Sequence, residues 1–202
     1  MTLSQLDILE KEIADQLKSF NAEQAKSYAT TKTVDKEVEN LFLFATYKKY
    51  TTIHKAYIEL IKHGDNETQT EALKRAVFLQ WLSCLEPAYN TGLTTSFEIF
   101  EKSEGGLELP DFLFVYGILD KLIGQNKLDK EFVEMLSYYS TWSFIFDSDK
   151  YGFNQFKNLN NFVLKVDTTK GYGTLIKARD LNSRGHMGDY FTSIWTPENT
   201  SS

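Results

Sequence analysis

Apolar residues recur at steps of three and four along most of the first 165 residues, which is the spacing of one helical face. The pattern predicts helices at about 3–20, 34–63, 67–86, 110–124 and 129–146, and a weaker one at 152–166. The polar stretch 21–33 suits either a helix or a linker, and a short helix is expected around Ser96–Lys102. Short connections between consecutive helices favour antiparallel neighbours.

The segment 67–86 differs from the other predicted helices because its second half is apolar on nearly every side. A helix without a polar face belongs in the interior of a protein. The sequence therefore predicts an all-α fold, a single helical bundle of about five to seven helices around this buried central helix. The polar residues Arg75 and Gln80 within it are expected to have hydrogen-bonding partners.

The character of the chain changes after residue 165, where glycine becomes frequent and helical spacing weakens. Residues 172–179 and 189–195 suit two short strands of a β-hairpin, or equally an aromatic arm packed on the helices. We therefore expect a helical domain at 1–165 and a C-terminal extension at 166–202. This irregular or hairpin-containing tail would pack on the bundle, with its last residues mobile.

The stretch TYKKYTTIHKAYIELI, residues 46–61, carries aromatic and polar residues at positions that helical cores usually fill with leucine. Steps of four and three place them on one helical face with Leu43 and Ile61. Tyrosine and histidine combine an apolar ring with a polar tip, so this face suits a hydrogen-bonded core or a ligand-binding groove. The candidate ligand-binding residues are Tyr47, Tyr50, His54 and Tyr57.

No catalytic or metal-binding signature accompanies these residues. The three histidines lack the Glu-x-x-His and His-x-x-x-His spacings that bring metal ligands together, and no glycine-rich phosphate loop occurs. The single cysteine, Cys84, stands among apolar residues and is expected to be buried and unreactive. Arg184 and His186 belong to a glycine-rich basic stretch that suits an anion site or, more simply, a solvated hairpin. We expect no catalytic residue, no metal ligand and no cofactor.

The formal net charge of −6 disfavours nucleic-acid binding, which depends on neutralising phosphates. No apolar run of membrane-spanning length and no signal-type segment occurs, so we expect a cytoplasmic protein without a membrane partner. The acidic excess is concentrated in the middle of the chain, at about residues 98–111.

Two functional classes remain. The first, which we favour, is a soluble non-enzymatic protein that acts through protein–protein interaction with an unknown protein partner. The acidic middle or the aromatic tail would supply the surface. The alternative is a small-molecule-binding helical bundle with a Tyr/His-lined pocket, in which enzymatic activity is left open.

Overall fold

A computed structural model describes residues 1–31, 33–85, 88–97, 104–146, 149–166 and 181–195. Short 3₁₀ helices at Ser140–Ile145, Asp149–Tyr151 and Phe153–Gln155 join the longer elements. The predicted all-α class is confirmed, and none of the described helices is long and apolar enough to cross a membrane. The α-helices within the described residues are α1 Leu3–Thr31, α2 Lys36–His63, α3 Asn66–Leu85, α4 Ala88–Thr91, α5 Leu109–Gly124, α6 Lys130–Tyr139, α7 Lys157–Lys165 and α8 Gly185–Trp195.

The two longest helices, α1 and α2, lie side by side. The stretch 21–33, for which helix and linker were both open, is helical as far as Thr31. Asp35 begins α2 by accepting hydrogen bonds from the backbone nitrogens of Glu37 and Val38, at 3.1 and 3.2 Å. The helix then continues unbroken to His63, so all the residues at 46–61 belong to one helix.

The helix α3 is buried on every side from Ala72 to Leu82. It packs against α2, α5 and α8. Its largest ring, Trp81, stacks on Tyr139 with ring centroids 4.7 Å apart and meets Tyr190 edge-on at 5.5 Å. The burial of α3 agrees with the apolar pattern of its sequence.

A second aromatic layer joins α5 to the chain after residue 149. Phe112 of α5 stacks against Phe153 with centroids 6.2 Å apart. Asp120 of α5 accepts hydrogen bonds from the backbone nitrogens of Asn158 and Leu159, at 2.7 and 2.9 Å. Its carboxylate therefore supplies acceptors that the first turn of α7 lacks.

The C-terminal extension differs from the hairpin that was one of its two expected forms. Residues 189–195, for which a strand and an aromatic arm packed on the helices were both open, belong to helix α8, while 172–179, most of 96–102 and the final residues 196–202 lie outside the described chain. Met187, Phe191 and Ile194 recur at helical steps, and a helix turns them together onto α1 and α3. Met187 and Phe191 are fully buried there, so tertiary packing favours helix over the β-propensity of the aromatic residues.

Candidate functional site

The four candidate residues of α2 form a buried row, which we call the aromatic seam: Tyr47, Tyr50, His54 and Tyr57. The seam faces the interior of the protein, and the polar tips of Tyr50, His54 and Tyr57 contact other helices. The Tyr50 hydroxyl lies 2.9 Å from His186 Nδ1 on α8, and the Tyr57 hydroxyl donates to Glu10 Oε1 on α1 at 3.0 Å. A ligand-binding role for the seam stays a prediction.

Glu10 is the centre of the polar contacts between α1, α2 and α8. Only 2% of this residue is exposed. Besides the Tyr57 hydroxyl, its carboxylate accepts a hydrogen bond from the backbone nitrogen of His186 at 2.6 Å. Gly185 permits this approach, because a Cβ at that position would collide with the Glu10 carboxylate and its φ of +57° is unfavourable for other residues.

The burial of Glu10 changes its acid–base behaviour. Desolvation raises its pKa to about 7, although the hydrogen bonds from His186 and Tyr57 and the charge of Arg75 act in the opposite direction. Desolvation and the nearby Glu10 also raise the pKa of Tyr57 well above its ordinary value, so the Tyr57 hydroxyl keeps its proton. Glu10 is therefore a buried group that exchanges a proton near neutral pH.

Arg75 of α3 connects this centre to the N-terminus of α1 and to the tail. Its guanidinium pairs with Asp7 and with Glu71, the latter at 2.8 Å, and donates to the Ser183 carbonyl at 3.0 Å. It also lies 3.5 Å from the Tyr57 hydroxyl. Arg75 thus has the partners that its position in an apolar helix requires.

Arg184 extends the polar contacts into a buried ion-pair network. Its guanidinium binds Glu71 at 2.9 and 2.6 Å and Glu131 at 2.7 Å. Lys74 pairs with Glu131 at 3.0 Å and with Asp129 at 2.7 Å. The guanidinium of Arg184, expected in a solvated hairpin or an anion site, is therefore occupied by protein carboxylates.

These ion pairs form part of the wall of a cavity of about 640 Å³. Five carboxylates and three cationic side chains line it, together with threonine hydroxyls. The lining therefore has an excess of negative charge. One of its carboxylates, Glu67, lies on the first turn of α3. Arg75 belongs to this lining and also contacts Tyr57, so the cavity adjoins the aromatic seam through one side chain.

His54 lies apart from the Glu10 centre, against α3 and α5. Its Nε2 accepts from Gln80 Nε2 at 3.1 Å, and the same amide nitrogen donates to the Asp111 carbonyl at 3.3 Å. Desolvation, with a smaller contribution from the charge of Lys55, lowers the pKa of His54 to about 3. A histidine with so low a pKa stays neutral and is a weak base at neutral pH.

Cys84 is buried on α3, where desolvation raises the pKa of its thiol to about 12. The thiolate that a nucleophile requires is therefore disfavoured. This agrees with the expectation from its apolar sequence neighbours.

A second candidate surface lies at the far end of the α1–α2 pair. We call residues 18–45 the outer hairpin; none of its described residues is buried, and Phe20 stacks on Phe42 with centroids 4.1 Å apart. At about 1.5 Å per residue, α1 continues about 20 Å beyond Leu17, its last buried residue. The hairpin therefore lacks a core of its own.

One face of α2 in the outer hairpin is apolar and exposed. Val38, Leu41 and Ala45 follow at steps of three and four, which places them on one face, the outer stripe. Helical geometry puts this stripe on roughly the opposite side of α2 from the aromatic seam. Leu41 is 64% exposed and Val38 is 47% exposed. The same face continues into a groove of about 210 Å³ between α1 and α2.

The sequence pattern did not single out Glu10, Glu71 or Glu131. A signal for Glu10 exists, because Leu6, Glu10, Ile13 and Leu17 follow at steps of four, three and four, so a carboxylate occupies a core position of α1. Glu71 and Glu131 gave no comparable signal, since their partner Arg184 is distant in sequence.

The chain matches no protein-family model, no curated protein and no solved structure.

Proposed function

We propose that this protein acts by binding another protein through the outer hairpin. The observation that carries the proposal is the outer stripe, in which Val38, Leu41 and Ala45 present an apolar face to solvent at the spacing that packs against a helix. An amphipathic helix lying along this stripe would cover it and continue into the groove between α1 and α2.

The stability of the hairpin supports the same conclusion. Helices in proteins owe most of their stability to burying an apolar face, and short helices without such packing are marginal. In residues 18–45 no described side chain is buried, and Tyr28 of α1 is 54% exposed. A bound partner would supply the missing burial.

The proposed surface differs from the two that the sequence suggested. In the aromatic tail, Phe191 is fully buried and Tyr190 packs against Trp81, so neither ring is presented as a free apolar face. Of the acidic middle, residues 98–103 lie outside the described chain. The outer stripe is the better-supported surface because its three residues are exposed.

Site-specific photo-crosslinking in the native cells tests this function. A benzophenone side chain at position 41 is expected to form adducts with a protein, because Leu41 would be covered in the complex. Position 164 on α7 is the matched control, since Leu164 is a helical leucine that is 73% exposed and lies outside the hairpin.

Adducts at position 41 that disappear when Val38→Glu is added would support the proposal. Equal labelling at positions 41 and 164, or no adduct at position 41, would contradict it. Where an adduct forms, mass spectrometry identifies the protein that is joined to position 41.

A second candidate function is small-molecule binding, which the cavity of about 640 Å³ beside the aromatic seam favours. Because five carboxylates and three cations line it, the ligand would carry positive charge, as an organic amine does. Tyr57 would act on the site through Arg75 rather than by direct contact.

Thermal-shift measurements with putrescine, and with glutarate as the anionic control, test this second function. Putrescine is expected to raise the Tm of the wild type, and less so in Glu67→Gln, which removes a carboxylate from the lining. Tyr57→Phe should also reduce the shift if the seam contributes. An equal shift with glutarate, or none with putrescine, would rule the amine out.

A further inference from the structure

We infer that the partner of the outer hairpin is a second copy of this chain, with α2 pairing against α2 in antiparallel orientation. The inference rests on the proposed function, because it names the partner of the same surface. It is carried by the arrangement of apolar and charged residues along α2.

The apolar residues of the outer stripe are arranged almost symmetrically about Leu41. Val38 precedes it by three residues and Ala45 follows it by four. A two-fold axis near Leu41, perpendicular to the helix, therefore places Leu41 against the partner's Leu41 and Val38 against the partner's Ala45. Steps of three and four are also the spacing at which two helices interlock their side chains.

The charges beside the stripe complement one another under the same symmetry. Glu37 and Lys48 are exposed at opposite ends of the stripe, and helical geometry places both along the same edge of α2. A two-fold axis reverses the helix but keeps that edge on the same side, so Glu37 comes close to the partner's Lys48 and Lys48 to the partner's Glu37.

The net charge of the hairpin also permits self-association. The whole chain has a formal charge of −6, which opposes contact between two copies. Residues 18–45, however, contain four lysines (18, 26, 32 and 36) and four carboxylates (23, 35, 37 and 39), so their net charge is zero. The hairpin is thus a region where two copies meet without net repulsion.

Sedimentation equilibrium of the full chain, over concentrations on the order of 1 to 100 μM, measures the self-association directly. We expect the wild type to form a dimer. Leu41→Glu should weaken the dimer about tenfold or more, because it places two carboxylates at the symmetry axis. Leu164→Glu is the matched control and should leave the dimer unchanged. Circular dichroism verifies that each variant keeps its helical content.

Charge reversal tests the orientation. Glu37→Lys and Lys48→Glu should each weaken the dimer, whereas the double variant restores opposite charges at both contacts and should recover it. A dimer that resists Leu41→Glu, or a double variant weaker than both single variants, would overturn the antiparallel pairing.

A wild type that is monomeric throughout the range would overturn self-pairing. If position 41 still cross-links to a different protein in that case, the proposed function stands with another partner. If position 41 forms no adduct and the chain is monomeric, both fail.

Discussion

Glu10 shows how one residue in an apolar row alters a helix. It occupies a core position between Leu6 and Ile13, yet a carboxylate there must find polar partners or a proton. The Tyr57 hydroxyl and the backbone nitrogen of His186 supply hydrogen bonds. Desolvation still dominates and raises the pKa of Glu10 to about 7.

This shift predicts a pH dependence of stability. In the unfolded chain the pKa of Glu10 returns to its ordinary value of 4.5, so between 4.5 and about 7 the folded chain binds the proton more tightly. Ionised Glu10 therefore destabilises the fold as pH rises through this window, by about 3 kcal/mol in all. Glu10→Gln keeps the size and neutral charge of the protonated acid. We expect Glu10→Gln to gain about this much stability relative to the wild type between pH 4.5 and pH 8.

Urea unfolding at a series of pH values measures this difference. The comparison with the wild type is needed because His54, whose pKa is lowered to about 3, makes the fold less stable as pH falls below 6.5, which is the opposite sign. Glu12→Gln is the control, because Glu12 is exposed on the same helix. A difference between Glu10→Gln and the wild type that does not change with pH would contradict the assigned role.

At the residue scale, the sequence indicates which polar residues lie on a core-facing helical face, but it does not indicate their hydrogen-bonding partners. The spacing of α2 placed Tyr50, His54 and Tyr57 on one face, and the structure has them buried on that face. Their partners could not be read from local spacing. Glu10 meets His186 across 176 positions, and Tyr50 meets the same residue across 136.

At the element scale, Arg184, which directly precedes α8, connects that helix to α3 and α6, because its guanidinium bridges Glu71 and Glu131. Burial raises the pKa of Glu71, but the hydrogen bonds and charges of Arg184 and Arg75 together outweigh that and hold the pKa below its ordinary value. We expect Arg184→Met to cost about 3 kcal/mol of unfolding free energy, because two largely buried carboxylates lose a counter-charge.

Lys55→Met provides the comparison for this prediction. Lys55 pairs with Glu108 at 2.6 Å, but both side chains are nearly half exposed, so the loss of this ion pair should cost less than about 1 kcal/mol. Denaturant titrations of both variants measure the two costs. An equal loss of unfolding free energy in the two variants would mean that the buried ion pairs do not stabilise the packing of α8.

The elements that the sequence predicted best are those whose periodicity is strong. The apolar pattern of 67–86 predicted a helix whose bounds lie within one residue of those of α3, Asn66–Leu85. Residues 185–195 were harder to predict, because the glycines and aromatic residues of the tail weaken its helical signal, whereas docking on α1 and α3 favours the helix that these residues form. Local preference yields there to tertiary contact.

At the scale of the whole molecule, the two ends of the α1–α2 pair differ in whether they pack against the core. One end of the pair joins the core through the aromatic seam and Glu10, and the other end, the outer hairpin, has no core. Helical spacing predicts the core-facing segments and residues 34–45 of the outer hairpin, whereas 21–33 suited a helix or a linker. Periodicity reports that a face is apolar and not what covers it, so the spacing of 34–63 did not distinguish the buried part of α2 from its exposed part.

The contact between Glu10 and His186 has a consequence for the order of assembly. During synthesis from the N-terminus, α1 is made first, but the backbone N–H that donates a hydrogen bond to the Glu10 carboxylate is made 176 residues later. Until α8 emerges, Glu10 keeps its water and the surface of α1 that α8 covers stays open to solvent. The contact between α1 and α8 closes a loop of most of the chain, which delays this step of folding. A ribosome-bound chain arrested before residue 185 would therefore expose the surface of α1 that α8 covers, and a chaperone could bind it.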